Sequence, residues 1–259
     1  MTPAIIIPAR FASTRFPGKP LAEIAGQSLL RRVWGVAHSL ADAANIYIAT
    51  DDARIADHAR SFGADVIMTP ADCVNGGARV LAAAKSLSPR PGHLVNFQGD
   101  APLTPPWVLK AVVDAMIADP SLPMVTAAVR LTPGQIRETE ESKKTSPTSG
   151  TFVVFARNGD ALYFSKSLIP NLRDPGGDTG VYRHVGIYGY RFETLEKLQT
   201  LPEGPLERAE KLEQLRALEN GIPIRVVVVD YKGRTHWSVD TPEDAARTAA
   251  IIAREGELV

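Results

Sequence analysis

Apolar residues along this chain fall into short blocks separated by polar, proline- or glycine-bearing turns. Ile5-Ile6-Ile7 is a β-branched run closed by Pro8, which predicts a fully buried strand. A helical pattern follows from about Ser28 to Leu40, and Asn45 to Thr50 predicts a second strand. Asp51 and Asp52 then supply helix-start chemistry ahead of Ile55, Ala56, Ala59 and Phe62, an amphipathic spacing. Asp65 to Met68 predicts a third strand, Arg79 to Leu87 a further helix, and His93 to Phe97 a fourth strand ending at Gln98-Gly99-Asp100. Strands alternating with helices predict an α/β fold, with a mostly parallel central sheet covered by helices on both faces.

The pattern changes in the second half. Residues Thr132 to Gly150 are polar without hydrophobic periodicity and read as a mobile loop. Thr151 to Phe155 and Ala161 to Phe164 flank Asn158-Gly159, the strongest short hairpin signal in a sequence. Tyr182 to Tyr190 and Ile222 to Val229 predict two more strands. Between them, Leu206 to Glu219 reads as one helix, with Pro205 at its first turn and Gly221 beyond its end. Thr241-Pro242-Glu243-Asp244 is a capped helix start with acids at the positive end of the dipole. The organisation expected is a nucleotide-binding α/β core of residues 1–131 and 230–259. A smaller, partly antiparallel lobe, residues 132–229, is inserted into it.

The composition narrows the partners. The chain has 259 residues, enough to bury a sizeable core without disulfides or a structural metal. Its 29 basic and 29 acidic residues balance, which gives no support to a nucleic-acid or anionic-membrane partner. Cys73 is the one cysteine, so no intrachain disulfide forms, and a reducing cytoplasm is the compartment expected. No apolar run reaches the length of a membrane span.

Local charge is a different matter. The loop after the first strand carries Arg10, Arg15 and Lys19 with Ser13, Thr14 and Gly18 between them. In an open α/β sheet ligands bind beyond the carboxyl ends of the strands, where this loop begins. Backbone N–H groups and fixed cations in such a loop can surround a polyphosphate. It is not a Walker A loop, because Pro20 follows Lys19 where Ser or Thr is required. Two acids, Asp100 and Asp240, sit at strand ends. Taken singly each serves equally as a turn or capping residue, but beside a cationic loop they form a candidate Mg²⁺ pair.

The blocks PARFASTRFPGKPL, NIYIATDD, FGADVIMT, VNFQGDAPL, ALYFSKSLIP, YRHVGIYGY, LERAEKLEQLRALENG and WSVDTPED stand in this order along nearly the whole chain. In this it resembles the 3-deoxy-manno-octulosonate (Kdo) cytidylyltransferases, the CMP-Kdo synthetases. The resemblance implies a dimeric, Mg²⁺-dependent enzyme that joins CTP to an acidic 3-deoxy ulosonic acid, for lipopolysaccharide or capsule synthesis. It implies Pro8, Arg10, Ser13, Arg15 and Lys19 around CTP, with Gly76 and Arg79 from the base-recognition block. Lys19, Asp100 and Asp240 are implied in catalysis, the two aspartates as metal ligands. Gln98, Lys166, His184, Tyr188, Glu213 and Gln214 are implied around the sugar. From the residues alone, His184 reads more readily as a core or surface histidine than as a ligand, and Glu213 and Gln214 as an exposed helix edge. Tyr188, four positions after His184, belongs on the same strand face.

Two places depart from the family pattern. Asn75-Gly76-Gly77-Ala78-Arg79 stands where Ser-Gly-Thr-Asp/Glu-Arg is usual, losing a hydroxyl and a carboxylate. Lys166 replaces an arginine, keeping charge but not the bidentate fork. Three readings follow: a Kdo or 8-amino-Kdo cytidylyltransferase, an acylneuraminate cytidylyltransferase, or a nucleotide-binding regulatory protein without catalysis. Lys19-Pro20-Leu21 fits the Kdo branch better than the Lys-Asn element usual in the acylneuraminate branch.

Overall fold

Ile5, Ile6 and Ile7 are fully buried in strand β1 (Ala4–Ala9), and their side chains alternate between two cores. Ile5 and Ile7 join one and Ile6 the other, as a strand with helices on both faces requires. The structure is a computed structural model that describes residues 2–13, 15–173 and 180–259. After β1 come β2 (Glu23–Ile24), β3 (Gln27–Ser28), α1 (Leu29–His38), β4 (Asn45–Thr50), α2 (Ala53–Ser61), β5 (Val66–Met68), α3 (Gly76–Ser86) and β6 (His93–Phe97). Next are α4 (Pro106–Ala118), β7 (Met124–Arg130), α5 (Pro133–Thr145), β8 (Phe152–Phe155), β9 (Ala161–Ser165) and β10 (Tyr182–Arg191). The chain closes with α6 (Phe192–Thr200), α7 (Pro205–Glu210), α8 (Leu215–Glu219), β11 (Ile224–Val229) and α9 (Pro242–Glu255).

Among the described residues the main sheet runs β11-β7-β10-β6-β1-β4-β5, with the β8–β9 hairpin attached to β10. β1 pairs parallel with β4 and β6, and β7 with β11; β10 runs against both its neighbours. One face is covered by α1, α2, α4 and α9, and the other by α3, α6 and α8. Each fully buried Ile or Leu contributes about 1.5–3 kcal/mol relative to an exposed one, so these two layers dominate stability. The segment 132–229 is stitched into this frame. Its β10 and β11 are strands of the central sheet, and the β8–β9 hairpin projects from it.

Two sequence expectations need correction. The stretch from Thr132 to Gly150 is mostly helix, not loop. Thr132 and Gln135 form a reciprocal capping box, and Pro133 occupies the first helical position of α5. Ile136 and Thr139 are its buried residues, so α5 offers too narrow an apolar stripe for periodicity to reveal. The single helix expected from Leu206 to Glu219 is broken at Lys211, whose φ is 54°. The two halves fold back on each other. Glu219 Oε1 accepts from Leu206 N at 2.9 Å, capping α7, and Arg216 grips Glu207 through two bonds of 2.7 and 2.6 Å.

Candidate active site

The carboxyl ends of β1 and β6 open into a cleft of about 320 Å³. Pro8, Arg10, Ser13, Arg15 and Lys19 line it on one side, and Asn75, Gly76 and Arg79 on another. Gln98, Gly99, Asp100 and Asp240 complete it. Every residue the sequence assigned to nucleotide or metal is therefore gathered in one place. The cationic loop is held in shape by its own backbone: Gly18, at φ 71°, donates from its N–H to Phe11 O at 3.0 Å. Ser13 Oγ accepts from Phe16 N at 3.3 Å. Gly99 is needed because a Cβ there would lie 2.8 Å from Pro8 O, where the two strand ends meet. Arg79 is buried and turned to the cleft's back wall, donating to Thr69 Oγ1 at 2.6 Å and pairing with Asp51 at 3.3 Å.

Lys19 organises the acidic side. Its ammonium donates to Val239 O at 2.7 Å and lies 3.2 Å from both Asp100 Oδ2 and Asp240 Oδ1. Arg15 reaches Asp240 Oδ1 at 3.1 Å. Asp240 is placed by the start of α9, where its N–H is held by Asp244 Oδ2 at 3.0 Å. Asp100 and Asp240 thus converge from two separate elements. Among the described residues no group of three or more His, Cys, Asp or Glu could hold a metal. Two convergent carboxylates beside a triphosphate site suit Mg²⁺, which keeps water and phosphate in its shell, and do not suit an all-protein cage.

Of the residues expected on the sugar side, Gln98 lines this cleft, Lys166 follows β9, His184 and Tyr188 lie on β10, and Glu213 and Gln214 lie in the α7–α8 turn. His184 and Tyr188 do share a face, their ring centroids 5.3 Å apart. Between them β10 carries two residues, Gly186 and Ile187, that β7 does not match. Thr126 fills this bulge: its hydroxyl donates to Ile187 O at 2.8 Å and so accepts from His184 Nε2 at 2.9 Å. That leaves Nδ1 of His184 as an acceptor. Burial, with lesser contributions from His236 and Lys166, pushes the His184 pKa down to about 3, so the ring is neutral in ordinary buffers. Burial raises the Tyr188 phenol well above its usual range. Lys166 sits near His184, its Nζ donating to Thr151 Oγ1 at 3.1 Å and its N–H to Glu210 Oε2 at 2.7 Å. Burial lowers its ammonium pKa.

Glu213 and Gln214 do not sit on a helix edge, because the break at Lys211 puts them in the turn before α8. Gln214 is buried, and its Nε2 has no hydrogen-bond partner among the described residues. Glu213 keeps exposed surface while the protein crowded around its carboxyl raises its pKa. It accepts from Asn75 Nδ2 at 2.9 Å and from Gln199 Nε2 at 3.4 Å.

A family model described as cytidylyltransferase matches residues 4–225. The chain belongs to the cytidylyltransferase family. It is 51% identical, over the full length of both chains, to a 3-deoxy-manno-octulosonate cytidylyltransferase of Maricaulis maris. It is 46% identical to the protein of that name in Nitratidesulfovibrio vulgaris, covering 92% of this chain and 91% of that one. Its fold superposes at a TM-score of 0.87, with 34% identity, on a solved CMP:2-keto-3-deoxy-manno-octonic acid synthetase complexed with CTP. The alignment covers 98% of this chain and all of that one.

For a cytidylyltransferase of this kind, three site features escaped the sequence. Asn96 is buried beneath the cleft and accepts from Gln98 Nε2 at 3.3 Å, an orientation that an apolar strand pattern hides. Gln199 comes from the half-buried last turn of α6 and carries no motif. Glu210 gathers Ser165 Oγ at 2.6 Å and the Lys166 N–H, which only the break after α7 makes possible.

Proposed function

We propose that this cytidylyltransferase transfers CMP from CTP to the anomeric hydroxyl of Kdo or a close variant, releasing pyrophosphate, in a Mg²⁺-dependent reaction. The CMP-sugar would serve lipopolysaccharide or capsule synthesis, and CTP supply places the reaction in the cytoplasm. The observation that carries this reading is the Lys19 ammonium shared by Asp100 and Asp240 at the mouth of the cationic loop. A polyphosphate loop alone means nucleotide binding; a converged carboxylate pair beside it adds phosphoryl chemistry.

Pro8, Arg10, Ser13 and Arg15 would surround the triphosphate, with Gly76 and Arg79 shaping the base end. Arg15 and Lys19 would offset charge on the departing pyrophosphate. Mg²⁺ held by Asp100 and Asp240 would polarise the α-phosphate and lower the pKa of the attacking hydroxyl. The acceptor would lie against Gln98, His184, Tyr188, Glu213 and Gln214. Neutral His184 offers Nδ1 to a sugar hydroxyl, Gln214 offers its unpartnered amide, and Lys166 meets the sugar carboxylate as a point charge. No covalent enzyme intermediate is required. The assembly implied by the family resemblance is a homodimer, which sedimentation would measure.

The test is pyrophosphate release from each of the four nucleoside triphosphates, paired with Kdo, 8-amino-Kdo and neuraminic acids in the presence of Mg²⁺. CTP with Kdo is the expected productive pair. Preference for UTP overturns the base assignment, preference for 8-amino-Kdo identifies the close variant, and preference for a nine-carbon acid overturns the acceptor. No release with any pair overturns the enzymatic reading in favour of a nucleotide-binding regulator.

A further inference from the structure

Asn75 stands where the family pattern has serine, and its side chain does two jobs at once. Its Oδ1 accepts from Ala78 N at 2.7 Å, capping α3, while its Nδ2 donates to Glu213 Oε1 at 2.9 Å. A serine hydroxyl could cap the helix but could not also span to that carboxylate. Asn75 lines the nucleotide cleft together with Gly76 and Gln98, whereas Glu213 belongs to the α7–α8 turn, 138 residues away in sequence. The neighbouring departure fits the same arrangement. A Cβ on Gly77 would lie 2.9 Å from Gln199 Nε2 and 3.4 Å from Glu213 Oε1, so the missing side chain leaves room for both groups to close over α3.

The geometry points to Asn75 as a positioning residue that holds Glu213 against the nucleotide cleft and so sets the width of the acceptor site, with Gly77 as its clearance. This rests on the reading of Glu213 as an acceptor-sugar contact. The groups facing Glu213 are Asn75 from α3, Gln199 from α6, Glu207 from α7, Arg216 from α8, and Tyr188 and Tyr190 from β10. Burial raises the Glu213 pKa first of all; the bonds from Gln199 and Asn75 and the charge of Arg216 pull it back, and Glu207 adds to the rise. Losing the Asn75 donor therefore moves its titration upward.

Asn75→Ser keeps a cap and removes the amide donor, so it separates positioning from folding. It should lower the melting temperature only slightly and raise the acceptor KM about tenfold, a larger change than in the nucleotide KM, in line with the loss of a hydrogen bond to a charged group. Asn75→Asp also keeps a cap but sets a second carboxylate against Glu213. Its acceptor KM should rise further at alkaline pH and recover as the pH falls, when protonated Glu213 donates to the new carboxylate. In parallel, the ¹³C titration of the Glu213 carboxyl should move upward in Asn75→Ser and further in Asn75→Asp. If both variants keep the wild-type acceptor KM and Glu213 titration, the positioning role is refuted. Should the wild-type protein be inert toward every acceptor, the acceptor reading fails, and the Glu213 titration alone decides whether Asn75 holds this carboxylate.

Discussion

Replacing Lys19 by methionine keeps an unbranched stem and removes the one cation that, among the described residues, touches both Asp100 and Asp240. At 3.2 Å the attraction to each carboxylate is about 1 kcal/mol in water and about 5 kcal/mol at an effective dielectric near 20. The lysine side chain is 15% exposed and the carboxylates 32% and 36%, so solvent screening leaves about 1–2 kcal/mol per contact. Any divalent cation held by both aspartates competes with this ammonium for the same oxygens. Lys19→Met should therefore lose turnover yet bind the metal alone about tenfold more tightly, since tenfold corresponds to about 1.4 kcal/mol. It should also melt lower without metal, and gain more from added Mg²⁺ than wild type, because the carboxylates then find their counter-charge. Arg15 still reaches Asp240 in the variant, but with 65% of its side chain exposed it compensates little. Calorimetric titration with Mg²⁺ or Mn²⁺ in the absence of nucleotide measures the first effect, and paired thermal melts the second. Metal affinity equal to or weaker than wild type, with no difference in the Mg²⁺-induced melting shift, would refute the competition.

Asp100→Asn should abolish pyrophosphate release while far-ultraviolet circular dichroism stays native, and unchanged Mg²⁺-dependent turnover would exclude Asp100 as an essential ligand. Gly189→Ala adds a methyl inside van der Waals contact of Met116 Sδ and 3.3 Å from Val112 Cγ1, so melts should show a loss of about 1–3 kcal/mol, partly restored by Met116→Ala in the same chain. Asp244 is raised by burial, but bonds from the Asp240 and Thr241 N–H groups, the Thr241 hydroxyl and the Trp237 indole outweigh this and hold it low. Its stabilisation is present above the unfolded pKa and lost as the pH falls through the lower folded value, so the melting gap between wild type and Asp244→Ala should be wide near neutrality and close below about pH 4. A histidine NMR titration should find His184 still neutral at pH 5, given a pKa of about 3; protonation above that pH would contradict its burial.

Much of this was legible from residue patterns because the physics was local. Ile5 to Ile7, Asn45 to Thr50 and His93 to Phe97 read as strands and are strands, and the cationic loop leaves the end of the first. Caps at Asp52 and Thr241 announced their helices, and both accept as expected. The failures were of two kinds. The helix α5 escaped because it buries little, although Thr132 and Gln135 spelled its capping box. The break at Lys211 escaped because nothing local forces a lysine to positive φ; Glu219 and Arg216 impose it from further along the chain. That break is also why Glu213 could be named from the sequence and its bond to Asn75 could not.

The unmatched pair Gly186 and Ile187 also constrains how this site can change. Side chains alternate across the sheet, so an even number of extra residues returns Tyr188 to the face of His184, whereas an odd number would reverse it. Deleting Gly186 alone would turn either His184 or Tyr188 toward the helices α1 and α4 and bring an aliphatic neighbour such as Val185 or Ile187 into the opposite layer. Length variation in this strand is therefore tolerable only in steps of two. The proposed acceptor wall can be remodelled by substitution or by paired insertion, while single-residue drift at this point costs the pairing of His184 with Tyr188 and the core together.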